Sequence, residues 1–432
     1  MAIIRTDGIR RFKVAALGAA ALMASAAVAA AESVITWMYV EAQPNVIEVW
    51  RGIAEQFEKD HPGVKIEMKF LENQAFKAKI PTLLQSSEAP SMFYTWGGGV
   101  LKAQAQTGML RDVTGALDAN GGAWRNTINA AAVDALTFDD KVWAAPFRTG
   151  VVAFYYNKEL FQKAGVDAST IKTWGNFTDA VKKLKAAGIT PIAGGGGDKW
   201  PLHFYWSYLA MRQAGHQGFV DAKAGKGDGF ASEPFVKAGE YLAELGKLEP
   251  FQNGYLGATW NDALAAFGDG RAAIILSFEN TPGTQAVNST SGKGLPVENI
   301  GRFPFPALDG APGVVTDNFG GINGWTITKN APPETEEFLK YFSSPDVQRK
   351  LARDAKILPV AKGASDAVSD PLLKVAAEAI ANETWHQNFL DQDLGPNVGA
   401  VVNDMSVAIV SGQQSPADAA QQIQDAFSLE NP

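Results

Sequence analysis

Ala144-Ala-Pro-Phe-Arg-Thr-Gly-Val-Val-Ala-Phe-Tyr-Tyr-Asn-Lys-Glu-Leu-Phe161 joins a bend punctuated by Pro146 and Gly150 to a β-branched and aromatic run. That run, Val151 to Tyr156, reads as a strand that turns directly into a helix. Asn157 stands where an N-cap belongs, Leu160 and Phe161 open an apolar face, and Gly165 ends the helix. A strand entered through a bend and left through a helix is the pattern of a crossing between two α/β lobes. On such a crossing Arg148 faces a cleft, which points to a two-lobed binder rather than an enzyme built on one core. Strand alternation sends Tyr155 and Tyr156 to opposite faces, so the adjacent pair reads as framework and not as paired metal ligands.

The same strand–helix alternation extends on both sides. Ser33 to Val40 reads as a strand, followed by the polar turn Glu41 to Asn45. Val46, Val49, Trp50, Ile53 and Phe57 then form one face of a helix. Val64, Ile66, Met68 and Phe70 alternate with Lys65, Glu67 and Lys69, as in a half-buried strand. A helix around Phe76 to Leu84 and a strand over Ser91 to Trp96 follow. Beyond the opening stretch come a helix from Trp174, a strand at Gly188 to Ala193, a Gly-rich loop to Trp200, long helices, and strands at 272–278 and 320–328. Such alternation predicts largely parallel sheets flanked by helices, with ligands bound in loops beyond the strand ends.

With 432 residues the chain exceeds one hydrophobic core, and 46% hydrophobic against 19% charged residues mark it as globular. Arg5, Arg10, Arg11 and Lys13 precede an Ala-rich apolar segment, Val14 to Ala30, which ends in small residues. This reads as a cleaved export signal over residues 1–31. Its removal leaves 34 basic against 45 acidic residues, a net charge of −11, which argues against nucleic acid as a partner. The chain has no cysteine, hence no disulfide and no lipid-modified N-terminal Cys, which suits a periplasm. Its four histidines lack metal-ligand spacing, and the glycines at 194–197 lack the Gly-Lys-Ser/Thr of a phosphate loop. Neither a metal nor a cofactor is expected.

Several stretches carry a family resemblance: Phe57-Glu-Lys-Asp-His-Pro-Gly-Val64, Tyr94-Thr-Trp-Gly-Gly-Gly99, Gly108-Met-Leu-Arg-Asp-Val-Thr114, Tyr156-Asn-Lys-Glu-Leu-Phe-Gln-Lys-Ala-Gly165, Ala265-Ala-Phe-Gly-Asp-Gly-Arg-Ala-Ala273 and Phe303-Pro-Phe-Pro306. Thr173-Trp174, Leu184 to Gly188, Ser343-Ser-Pro345 and Leu358-Pro359 continue the series. In this order the chain closely resembles the extracellular solute-binding proteins of carbohydrate ABC importers, the family that includes maltose-binding protein. The resemblance implies an α/β fold of two lobes with a three-segment hinge and an interlobe cleft. Crossings are expected near Arg148–Val152, Phe278–Thr281 and Gly321–Trp325. They place residues 32–148 plus 279–322 in an N-terminal lobe and 149–278 plus 323–432 in a C-terminal lobe. The implied partners are a small-molecule carbohydrate and the membrane permease subunits of an ABC importer, the protein itself acting as a monomer.

A sugar offers hydroxyls at its edge and C–H groups on its faces, so its site needs planar polar groups and aromatic rings. Trp96, Trp200 and Trp385 are the aromatic candidates, whereas Trp260 reads as a helix-start residue. Glu41, Gln43, Asp198, His203, Glu279 and Asn280 are the polar candidates. Arg148 offers a guanidinium fork, with an interlobe salt bridge as its other role. Gly321 lets backbone approach the ligand. Asp198 also reads as a helix cap. The alternatives are a binder of a polyol, sugar acid or glycerol phosphate on the same scaffold, or a secreted glycosidase. The latter needs two carboxylates about 5–10 Å apart, which no local motif nominates.

Overall fold

The computed structural model describes residues 32–431, so the export signal expected over residues 1–31 lies outside the described residues. Eleven strands are described: β1 (Ser33–Tyr39), β2 (Val64–Phe70), β3 (Met92–Thr95), β4 (Thr137–Phe138), β5 (Lys141–Val142), β6 (Ala145–Val151), β7 (Ala153–Asn157), β8 (Ile274–Ser277), β9 (Ile300–Phe303), β10 (Asp317–Ile327) and β11 (Trp385–Asn388). β2, β1 and β3 run parallel, and β10 joins β3 antiparallel. This sheet carries the first lobe, whose core centres on Trp37, Trp50, Phe147, Trp325 and Phe342. The rings of Trp37 and Trp50 lie 5.1 and 5.2 Å from that of Trp325, both edge-on, so the aromatic residues lock sheet and helices together.

In the second lobe β7 lies antiparallel between β8 and β9, contrary to the parallel sheet expected there. The segment read as a strand at 188–193 makes only single bridges, from Ile192 to Ile274 and Phe251. The helix Trp200–Lys223, broken at Gly215, runs buried through this lobe. Helices Glu233–Lys247 and Pro396–Val410 pack against it, and Pro416–Glu430 packs on those two. No helix among the described residues is long and apolar enough to cross a membrane.

The opening stretch folds differently at its start. Ala145–Val151 is strand β6 rather than a bend, because Asn323 to Trp325 of β10 pair with it in register around a bulge. Asn157 caps the following helix as expected, its Oδ1 accepting from the backbone N–H groups of Glu159 and Leu160 at 3.0 and 3.2 Å. Tyr155 and Tyr156 do point apart, Tyr155 being fully buried and Tyr156 packing on Phe161 and Phe303.

Packing corrects the expected lobe boundaries. Ile300, Phe303, Phe305 and Phe319 are buried among second-lobe residues, while Trp325, Phe338, Phe342, Leu351 and Val360 belong to the first-lobe core. Residues 279–319 therefore lie in the second lobe and 325–360 in the first, the reverse of the expectation. The chain crosses within 148–151, 320–324 and 361–388. Phe278–Thr281 is no crossing, since β8 before it and β9 after it share one sheet. β10 is long enough to serve both lobes: Asp317–Gly320 pairs with β11 and Gly324–Ile327 with β3. Tyr208 pins the hinge, its hydroxyl donating to the Val152 carbonyl at 2.5 Å and accepting from Phe319 N–H at 3.2 Å.

Candidate functional site

Between the lobes lies a cavity of about 350 Å³. Of the residues singled out from sequence, Glu41, Gln43, Trp96, Arg148, Asp198, Trp200, His203, Asn280 and Gly321 line it. Their convergence follows from the topology: the turn after β1, the end of β3, the hinge strands and the N-terminus of the helix Trp200–Lys223 all open into one space. Glu279 does not line it. Its side chain is wholly buried behind Arg148. Trp385 is a clear correction: it belongs to β11, stacks on His216 at 4.8 Å and packs against Phe219, where β10 holds it away from the cavity. Gly321 lines the cavity, but a Cβ there would lie 2.5 Å from the Phe389 ring, so the missing side chain makes room for Phe389.

The walls are aromatic on both sides. Trp200, Trp260 and Phe278 form a contiguous platform, with ring centres 5.1 Å apart for the tryptophans and 5.8 Å for Trp200 and Phe278. Opposite stands Trp96, edge-on to Tyr94 and Phe76, with the Lys77 ammonium 5.4 Å from its ring. Trp260 serves both the role read from sequence and the cavity. It opens the helix Trp260–Gly268, and its backbone N–H donates to Asp198 Oδ2 at 2.7 Å. Burial pushes the Asp198 carboxyl up, and Glu72 and Asp262 add to this, while the Trp260 hydrogen bond opposes it.

Both cations at the cavity are already engaged. Arg148 donates to Glu279 Oε1 at 3.1 Å and lies 4.0 Å from Glu41 Oε2, which places an interlobe ion pair at the hinge. Glu279 Oε2 also accepts from Val151 N–H at 3.3 Å. Burial raises both carboxyls above their ordinary values, with Arg148 as the main opposing influence. Lys77 donates to Asp391 Oδ2 at 2.8 Å, again across the lobes. Burial alone would push the Asp391 carboxyl up. Lys77, His203 and a hydrogen bond from Asn403 outweigh it and hold that carboxyl at about 2.

Direct contacts draw the lobes together. Gln43 is a two-way clasp: its amide donates to Asn261 Oδ1 at 3.1 Å and accepts from Asn288 at 2.7 Å. Gln74 donates to the Asp198 carbonyl and Asn388 to the Trp96 carbonyl, at 3.2 and 3.0 Å. Gly98 and Gly99 lie against the backbone of Gln392 to Gly395, where a Cβ on Gly98 would stand 2.7 Å from Asp393 Cα. Sequence reasoning missed much of the lining, including Tyr94, Phe278, Lys77, Phe389, Asp391 and Gln392. Lys77 sits between apolar helix positions and reads as a solvated charge, and Asp391 carries no local signal because its partners lie far away in the chain. Among the described residues no cluster of ligating side chains suits a metal ion.

A two-lobed α/β fold with a walled cavity at its hinge defines a solute-binding protein. The family of bacterial extracellular solute-binding proteins matches residues 43–349, and the chain belongs to it. It is thereby a member of a family of exported proteins. It is 24% identical over 368 residues to the multiple sugar-binding protein of Streptococcus mutans, covering 82% of each chain. It is 23% identical over 431 residues to the sn-glycerol-3-phosphate-binding periplasmic protein of Agrobacterium fabrum, covering 93% of each. Its fold matches a solved chitin oligosaccharide binding protein with a TM-score of 0.84 and 23% identity, covering 93% of this chain and all of that one.

Proposed function

We propose that the protein captures an uncharged sugar, an oligosaccharide or glycoside, between its lobes and delivers it to the permease of an ABC importer. One observation carries the choice of ligand: each cation at the cavity is already paired with a carboxylate, Arg148 with Glu279 and Lys77 with Asp391. A phosphate or sugar acid needs a free guanidinium or ammonium to repay its desolvation. Here it would also meet Glu41, Glu72 and Asp198, which line the same space. The aromatic platform suits the C–H faces of a pyranose instead. This favours a sugar over the glycerol phosphate named for one of the relatives.

The protein acts as a binder without catalysis. Glu41 and Glu279 are both turned to Arg148, and Glu279 has no exposure through which to reach a glycosidic bond. We place it in the periplasm as a monomer, exported by the cleaved segment 1–31. The ligand acts by its preference for the closed pair of lobes, since only differential affinity shifts such an equilibrium. The test is calorimetric titration with xylo-, chito- and malto-oligosaccharides beside glycerol 3-phosphate. Saturable binding of a neutral saccharide is expected. Binding of glycerol 3-phosphate alone would overturn the reading, as would turnover of a nitrophenyl glycoside.

A further inference from the structure

One corner of the cavity presents two neighbouring acceptors without donors, one of them a buried ring nitrogen. His203 is 1% exposed, and its Nδ1 lies 2.6 Å from the Trp200 carbonyl oxygen. A carbonyl can only accept, so Nδ1 carries the ring proton. Burial, assisted by Lys77 and opposed by Asp391, the Trp200 carbonyl and Asn403, lowers the pKa of this ring and favours its neutral form. The Nε2 lone pair is then an acceptor, and Nε2 has no hydrogen-bond partner. It faces Asp391 Oδ1 at 3.7 Å.

Asp391 is equally one-sided. Its Oδ2 accepts from Lys77 at 2.8 Å, Gln392 at 3.1 Å and Asn403 at 3.2 Å. Oδ1 accepts from none of these donors. Two acceptors cannot bond each other, and leaving His203 Nε2 unpaired away from water is unfavourable.

We propose that Asp391 Oδ1 and His203 Nε2 form an acceptor-only subsite that takes two neighbouring hydroxyls of a sugar ring, each donating to one acceptor. This rests on the sugar-binding reading above. A vicinal diol supplies two protons side by side, whereas a single hydroxyl supplies one. An ammonium would bring a second cation to a carboxylate that Lys77 already neutralises. A phosphate or carboxylate group offers only acceptors and does not fit at this pair. Asp391 and His203 both come from the second lobe, so the pair of acceptors belongs to that lobe, and contact between the lobes adds the Lys77 ammonium to Asp391 Oδ2.

The experiment titrates the intact mature protein with xylo-, chito- and malto-oligosaccharides, then repeats the titration of whichever binds on His203→Phe and Asp391→Asn. His203→Phe removes the Nε2 acceptor, and Asp391→Asn turns one of the carboxylate's two acceptor oxygens into a donor; each is expected to weaken binding roughly ten- to a hundredfold. As a readout that needs no variant, ¹⁵N spectra of the wild-type histidines are recorded with and without that saccharide. The His203 Nε2 signal is expected to move to the hydrogen-bonded range while Nδ1 stays protonated. A saccharide that binds His203→Phe as tightly as wild type, or leaves Nε2 unmoved at saturation, overturns the subsite while the sugar-binding reading stands. If no saccharide binds, that reading fails and takes the subsite with it.

Discussion

The ion pair between Lys77 and Asp391 ties acid stability to contact between the lobes. The Asp391 carboxyl is held at about 2, against an ordinary 3.8, although its side chain is only 5% exposed. At about 1.4 kcal/mol per pH unit, that difference amounts to about 2 kcal/mol favouring the folded, ionised form. The folded value lies below the unfolded one, so the contribution is fully present above about pH 4 and drains away as pH falls through about 2. The perturbation is Asp391→Asn, which cannot ionise. Urea midpoints of variant and wild type, followed from pH 7 to pH 2.5, provide the assay. The gap in favour of wild type should narrow as pH falls below about 4, by about 1–2 kcal/mol at the acid end. Lys77→Met should have a complementary effect: without its main counter-charge the carboxyl rises under burial, and acid sensitivity begins at higher pH. Parallel curves for wild type and Asp391→Asn at every pH would refute the reasoning, because a group that does not titrate differently in the two states cannot bend the profile.

Arg148→Ala should destabilise the fold by about 3–5 kcal/mol, since it leaves the Glu279 carboxylate buried without a counter-charge; a loss below about 1 kcal/mol in urea unfolding would contradict this. Gly98→Ala should keep the lobes apart, visible in solution scattering as a larger radius of gyration with saturating sugar, because a Cβ there meets Asp393 at 2.7 Å. Gln43→Ala gives up the interlobe hydrogen bonds to Asn261 and Asn288. At about 1 kcal/mol each, it should weaken sugar binding by about ten- to thirtyfold through less favourable closure, with thermal stability of the open lobes unchanged. Trp200→Ala should abolish most sugar affinity, whereas Trp385→Ala should leave affinity intact, and equal losses in both would argue against the assignment of the cavity.

Local patterns were legible wherever one residue's neighbours in sequence are also its partners. The alternation from Val64 to Phe70, the cap at Asn157 and the apolar face of the helix Pro44–Asp60 all fall into that class. The candidate site was legible where loops follow strands: Glu41 and Gln43 after β1, Trp96 after β3, and Trp200 after the Gly-rich loop. Trp385 misled because an aromatic residue in a short polar stretch looks the same whether it pairs beside β10 or faces a cavity. Arg148 was placed at the cleft correctly, but its engagement with Glu279, 131 residues away, lay beyond any local pattern.

Sequence by itself determined the class of fold, the lobed plan and part of the cavity's lining, because these follow from periodicity, turn chemistry, strand ends and the family resemblance. Tertiary structure alone decided the lobe membership of 279–319 and 325–360, since β10 can serve either lobe until its partners are known. It also decided the electrostatics of the site. A Lys at 77 and an Asp at 391 are ordinary surface charges along the chain, and become a buried pair only when two lobes close over them. Charge pairing depends on distance and desolvation, and neither exists until the chain has folded.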